Sequence, residues 1–274
     1  MRPIELVFED NSNYFIKEAF NTLRTNVLFS GVGIKTIVVT SCFAHEGKST
    51  VSFEMARSLA EAGKRVLFVD ADLRKSMMVA RHTRERGIYG LSQLLSGQIG
   101  VEQAIYHSQL EGLDVVFSGP YPPNPTELVG QAAFKAFLDA ERERYDYIIV
   151  DAPPLGLVID AAVISSACDG AIMVINIGKV KNRAAQNVKE QLEKSGCKVL
   201  GVVLNQATRR RNTTNAAYRS RYEAYQSSIQ MNHAREMQQR RMLQQKATAA
   251  QKPAASAPAR PVARPAPTQK KNDE

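Results

Sequence analysis

Short runs of β-branched and aromatic residues alternate, along the first two hundred positions, with longer stretches whose apolar residues return every three or four places. The runs are Ile37-Val38-Val39, Val66-Leu67-Phe68-Val69, residues 113–118, Tyr147-Ile148-Ile149-Val150, 171–177 and 199–204. Runs without polar alternation predict strands buried on both faces. Helical spacing predicts helices over 14–29, 49–62, 126–144, 158–168 and 181–195. In the first of these Phe15/Ile16, Ala19/Phe20, Leu23 and Val27 share a face, and Gly63 and Gly196 stand where helices close. Thr126 is the expected N-cap of its helix. Residues 1–13 predict loose chain, and 77–109 short helical segments and loops. Strands alternating with helices predict an α/β fold, a doubly wound, mostly parallel sheet covered on both faces.

The pattern stops at Asn205. Residues 206–274 hold fourteen Lys and Arg against four Asp and Glu, leaving 22 basic and 23 acidic residues in the first 205. The sequence pI of about 9.5 therefore describes the tail, not a basic face on the domain. We divide the chain into a domain over 1–205, a partly helical stretch over 206–250, and a disordered, Ala/Pro-rich basic tail over 251–274. Tyr218, Tyr222 and Tyr225 put three of the nine tyrosines into eight residues of an otherwise aromatic-free tail. Their spacing suits one helix face, for packing or for modification. Three cysteines, Cys42, Cys168 and Cys197, without a Cys-x-x-Cys pair, argue against a disulfide framework or a zinc site. No apolar run approaches the ~18 residues of a membrane span, and the N-terminus lacks a signal peptide's apolar core. The expectation is a cytoplasmic protein.

Chemistry gathers at three strand ends. After Ile37-Val38-Val39 the chain reads Cys42-Phe43-Ala44-His45-Glu46-Gly47-Lys48-Ser49-Thr50 and then turns helical. A strand, a loop and a helix opening on Gly-Lys-Ser form the context of a phosphate-binding P-loop. Backbone N–H groups and the helix N-terminus meet phosphate oxygens, Lys48 adds a point charge, and the Ser49 hydroxyl ligates Mg²⁺. The motif's first glycine is replaced by Cys42. The second strand ends in Asp70-Ala71-Asp72-Leu73-Arg74-Lys75, two carboxylates at the edge where open α/β sheets bind ligands. Their repulsion is tolerable beside a divalent cation and nearby basic groups. The strand before Asp151-Ala152-Pro153-Pro154 ends in a single carboxylate, a Walker-B arrangement that holds the Mg²⁺ shell. Together the three predict a Mg²⁺–nucleoside triphosphate site.

Residues 66–74 resemble the Walker A′ motif of the bacterial tyrosine kinases, which are P-loop kinases. The resemblance extends through Glu18-Ala19-Phe20, Leu23-Arg24-Thr25-Asn26, Gly90-Leu91-Ser92, Ser118-Gly119-Pro120, Pro122-Pro123-Asn124-Pro125, Asp151-Ala152-Pro153-Pro154 and Gly201-Val202-Val203-Leu204-Asn205. It covers roughly 14–225 and is nearest to the soluble capsule-biosynthesis type. It implies an ATP- and Mg²⁺-dependent protein tyrosine autokinase that regulates capsular or extracellular polysaccharide export. By that resemblance Lys48 and Ser49 bind phosphates and metal, Asp70 and Asp151 hold the Mg²⁺ shell, and Asp72 activates the attacking tyrosine. Arg74 and Lys75 assist with charge, and Asn205 approaches the adenine. Tyr218, Tyr222 and Tyr225 become the phosphoacceptors, and Cys42 to Thr50 the nucleotide loop. The resemblance further implies a homo-oligomeric ring, an octamer, contacted through Glu18 and Arg24 of helix 14–29. It implies a separate transmembrane activator that holds the protein at the inner face of the membrane, and a cognate tyrosine phosphatase.

The chain departs from the family at two places. Ala44-His45 stands where the family has Pro-Gly, and a positive φ at position 45 would cost histidine about 1–2 kcal/mol. Asn21 stands where the helix motif has an arginine. Two rival readings remain open. A partitioning-type P-loop ATPase switch would transfer nothing to protein, but it usually carries a second lysine that Ser41-Cys42-Phe43 lacks. A non-catalytic nucleotide-binding assembly protein would act through its basic tail on anionic lipid or nucleic acid, the latter disfavoured by a near-neutral domain.

Overall fold

Eight strands, β1 (Arg2–Ile4), β2 (Thr36–Ser41), β3 (Val66–Asp70), β4 (Ile105–Ser108), β5 (Leu113–Val116), β6 (Tyr147–Asp151), β7 (Gly170–Asn176) and β8 (Lys198–Asn205), form one sheet. Their order is β1-β4-β5-β3-β6-β2-β7-β8. The computed structural model describes residues 2–8 and 14–206. Tyr218, Tyr222, Tyr225 and the readings of 207–250 and 251–274 lie outside the described residues.

The six strands from β5 to β8 in the sheet order run parallel. β4 opposes β5, and β1 follows β4, so one edge is reversed. Residues 1–13 and 77–109 thus contain two strands that the apolar pattern does not announce. At three and four residues they are too short to show a period.

Both faces of the central strands are buried, as their unbroken apolar runs demand. Val38, Leu67, Val69, Ile148 and Val150 point to one core, and Ile37, Val39, Val66, Phe68 and Ile149 to the other. Helices α1 (Tyr14–Leu28) and α2 (Lys48–Glu61) pack together, and α2 buries Phe53, Met55 and Leu59 in the second core. The first core takes α4 (Leu91–Leu95), α6 (Pro125–Gly130), α7 (Ala132–Glu141), α8 (Asp160–Ser165) and α9 (Asn182–Lys194). Two short helices, α3 (Met78–His82) and α5 (Val101–Ala104), complete the fold.

The helix expected over 126–144 is two helices, with Gln131 extended at φ −70° and ψ 151° between them. Leu128 and Phe134 are both buried, yet six residues apart they fall out of phase with a 3.6-residue helix. A break after Gly130, a poor helix former, lets each half bury its own residues. Asn124 rather than Thr126 occupies the N-cap, with Pro125 in the first turn.

Candidate functional site

The sheet order brings three strand ends side by side. β6 lies between β2 and β3, so the loop after β2 and the carboxylates ending β3 and β6 converge. Asp70 is in register with Asp151, and Asp151 with Val39. Lys48, the first residue of α2, sits over them. Its Nζ is 2.9 Å from Asp72 Oδ2, 3.5 Å from Asp151 Oδ2, and donates to Ser49 Oγ at 3.1 Å.

Each carboxylate is held by a hydroxyl or an amide. Ser52 Oγ donates to Asp151 Oδ1 at 3.1 Å, and the Ser76 hydroxyl to Asp70 Oδ2. Asp72 Oδ1 accepts the Lys75 N–H at 3.1 Å, and Asp70 Oδ1 the Asp72 N–H at 3.3 Å. Burial, then Asp151, pushes the Asp70 carboxyl up to about 7. Burial also raises Asp151, against the pull of Lys48 and of the Ser49 and Ser52 hydroxyls. Burial alone would lower the Lys48 ammonium, but Asp151 and Asp72 carry it above the usual lysine value. One cation thus faces three acids, an anionic excess that a divalent ion would relieve.

The donor set fits magnesium. The described residues contain no cluster of three His, Cys, Asp or Glu suited to an all-protein cage. Magnesium keeps several waters and takes one or two carboxylates with substrate phosphates. Ser49, Asp70 and Asp151 supply that kind of set.

Above the carboxylates opens a cavity of about 460 Å³. Ala44, His45, Gly47, Lys48, Ser49, Thr50 and Asp72 line it, with Arg74 and Lys75 beside them. Asp70 and Asp151 lie beneath, so Asp72 is the carboxylate facing the space. Gly47 has φ 87°, and a Cβ there would stand 2.0 Å from Asn205 Nδ2. Asn205 instead donates to the Glu46 carbonyl at 2.9 Å, and Gln206 Nε2 to the His45 carbonyl at 3.3 Å. Glu46 turns inward and accepts the Phe43 N–H at 2.9 Å. His45 has φ 63°, the left-handed backbone whose cost the sequence raised.

Known proteins resemble this chain in sequence and in fold. Residues 34–180 match the AAA domain family. The tyrosine-protein kinase CpsD of Streptococcus agalactiae is 45% identical over 189 residues, 69% of this chain and 82% of that protein. The chain belongs to the bacterial tyrosine kinase family.

The solved kinase domain of the Escherichia coli tyrosine kinase ETK superposes with TM-score 0.69 at 30% identity, over 74% of this chain and 80% of that one. The septum site-determining protein MinD of Pyrococcus horikoshii, complexed with Mg-ADP, gives TM-score 0.56 at 25% identity, over 65% of this chain and 72% of that one. The kinase reading thus prevails over the partitioning-ATPase and assembly-protein alternatives. Among the described residues, no helix is long and apolar enough to cross a membrane.

Within this tyrosine kinase, Lys48, Ser49, Asp70, Asp72 and Asp151 lie together at the strand ends. Cys42, Phe43, Glu46 and Asn205 do not line the cavity. Cys42 is fully buried, and burial with Glu46 nearby pushes its thiol up to about 11, which suits an inert thiol. Asn205 braces the loop. On α1, Glu18 accepts from Asn21 Nδ2 at 3.1 Å, and Arg24 donates to the carbonyl and hydroxyl of Ser58 on α2. Sequence reasoning missed Ser52, Ser76 and Asp160. Asp160, 2% exposed, receives Arg74 Nε at 3.1 Å, while Arg74 also donates to Thr126 at 2.8 Å. The one signal was Ser52, four residues after Lys48 on the helix face that meets the strand ends.

Proposed function

We propose that the chain transfers the γ-phosphoryl group of ATP to tyrosine, its own Tyr218, Tyr222 and Tyr225 among the acceptors. The observation that carries this reading is the division of labour among the carboxylates, with Asp72 in the cavity and Asp70 and Asp151 beneath it. A free tyrosine has a pKa of ~10, so its proton must be removed during transfer. Asp72 takes that proton as the phenolic oxygen bonds to the γ-phosphorus and the bond to the ADP oxygen breaks. Lys48, in salt-bridge range of Asp72 and Asp151, is placed to turn to the phosphates and offset their charge. Loop N–H groups around Gly47 and the start of α2 orient them. Magnesium, when bound through Ser49, Asp70 and Asp151, neutralises phosphate charge. Arg74, fixed on Asp160 and Thr126, holds the loop after β3 in place.

The wider setting follows the family. The kinase assembles as a ring, an octamer, through α1 with Glu18 and Arg24. A separate transmembrane activator holds it at the inner face of the membrane, and a tyrosine phosphatase reverses the reaction. The phosphorylation state then regulates capsular or extracellular polysaccharide export.

The test is mass spectrometry of the purified protein after incubation with ATP and Mg²⁺, with the activator segment supplied. Phosphate on Tyr218, Tyr222 or Tyr225, absent in Lys48→Met, is expected. Unmodified tyrosines in the wild type would sink the autokinase reading.

A further inference from the structure

The cavity is lined by more than the loop after β2 and its carboxylate. Met77, Pro154, Leu157 and Val158 form its wall. Met77 is 51% and Leu157 58% exposed, an apolar surface opening onto the space that holds Asp72. Two cations stand at the same cavity, Lys75 and Arg81, both exposed. Arg74 is committed to Asp160 and Thr126, whereas Lys75 and Arg81 have no ion-pair partner among the described residues.

Arg81 is also rigidly carried. It belongs to α3, whose next residue, His82, accepts the Val7 N–H at its carbonyl at 2.7 Å. The His82 ring lies 4.0 Å from that of Phe53 on α2. The backbone that carries Arg81 is therefore held against α2, the helix that carries Lys48.

An apolar wall beside the carboxylate suits a phenol ring, and uncommitted cations next to it suit negative charge flanking that ring. We propose that Arg81, with Lys75, selects acceptor tyrosines carrying negative charge within a few residues, so that each phosphate on the tail speeds the next. This inference rests on the kinase reading above.

The tail's own chemistry then sets an order. Between Tyr218 and Tyr225 stand Arg219, Arg221 and Glu223. Glu223 adjoins Tyr222, where it offsets the equally adjacent Arg221, and is the one charge within three residues of Tyr225, whereas Tyr218 is followed by Arg219 and Arg221 with no acid within four positions. A phosphate brings about −1.5 to −2 charges at neutral pH, enough to reverse the sign of the segment. Tyr222 and Tyr225 are phosphorylated first. Tyr218 follows once Tyr222, four positions away, carries its phosphate.

A site-resolved mass-spectrometric time course, in the reaction described above, tests this on the full-length chain. In the wild type Tyr218 is expected last, and in Tyr222→Phe its rate falls roughly fivefold, the scale of one exposed charge pair. Arg81→Ala removes the order while leaving the KM for ATP unchanged. Arg81→Glu and Glu223→Lys each slow Tyr222, and the double variant restores it. The inference is overturned if the order survives in Arg81→Ala. It is equally overturned if the KM for ATP rises there, which would make the arginine a nucleotide ligand. Wild-type chains carrying no phosphate at all would defeat the kinase reading itself, a result distinct from phosphates added in random order.

Discussion

Lys48 is the cation that three buried acids share, so its loss should act on transfer and on the resting fold together. Lys48→Met should lower phosphoryl transfer by at least about 10²-fold, the usual loss for one charge-stabilising group at a transition state. It should also lower the melting temperature of the ligand-free protein, because Asp72 and Asp151 lose their counter-charge. Transfer assays and calorimetry on one preparation check both. His45 offers the opposite case. Its left-handed backbone strains a side chain that contributes no described bond, so His45→Gly should stabilise the domain by about 0.5–1 kcal/mol once the glycine's extra chain entropy is offset. Denaturant titration reads this directly. These residues were legible because a strand end or a helix start names a place. Ser76 and Asp160 were not, because each finds its partner only through the folded chain: a loop returning to Asp70, and a helix 86 residues beyond Arg74.

At the scale of elements, the end of the sheet opposite the site depends on one carboxylate. Asp169, just before β7, accepts the Lys35 N–H at 2.9 Å, the Thr36 N–H at 2.7 Å and Arg142 at 2.7 Å. Burial works against its ionised form, but these donors outweigh it and hold the carboxyl below the usual carboxylate range. Its contribution is present above the unfolded value of about 3.9 and is lost as pH falls through the lower folded value. Asp169→Asn should therefore cost about 2 kcal/mol at neutral pH. The gap between variant and wild type should close as pH falls below about 4 in denaturant melts. The central strands were readable because burial on both faces leaves continuous apolar runs. The reversed edge was not, since β1 and β4 are too short for any period and are specified by pairing. The division of helix 126–144 into α6 and α7 was legible in principle, in the phase slip between Leu128 and Phe134, but only to a reader who knew both were buried.

For the whole molecule, nucleotide and folding are linked. Mg²⁺-ATP at a hundred times its dissociation constant should add about 2.7 kcal/mol to the stability of the domain, by mass action alone. Calorimetry with and without the metal, using a non-hydrolysable analogue, checks this. If metal binding relieves the anionic excess around Asp70, the analogue without metal should give visibly less. The division of charge between a near-neutral domain and a basic tail was plain from composition. The bracing of the loop after β2 by the end of β8 was not, because only the sheet order brings the two together. Asn205 and Gln206, the residues that close the sheet, are also the ones whose amides grip the carbonyls of Glu46 and His45. The end of β8 is thus the buttress of the loop after β2. Removing either grip, as in Asn205→Ala, should therefore loosen the loop around Gly47 and weaken nucleotide binding, which equilibrium titration reads. In mechanical terms the end of the last strand is a clasp, and the loop it closes on should be only as firm as those two amides hold it.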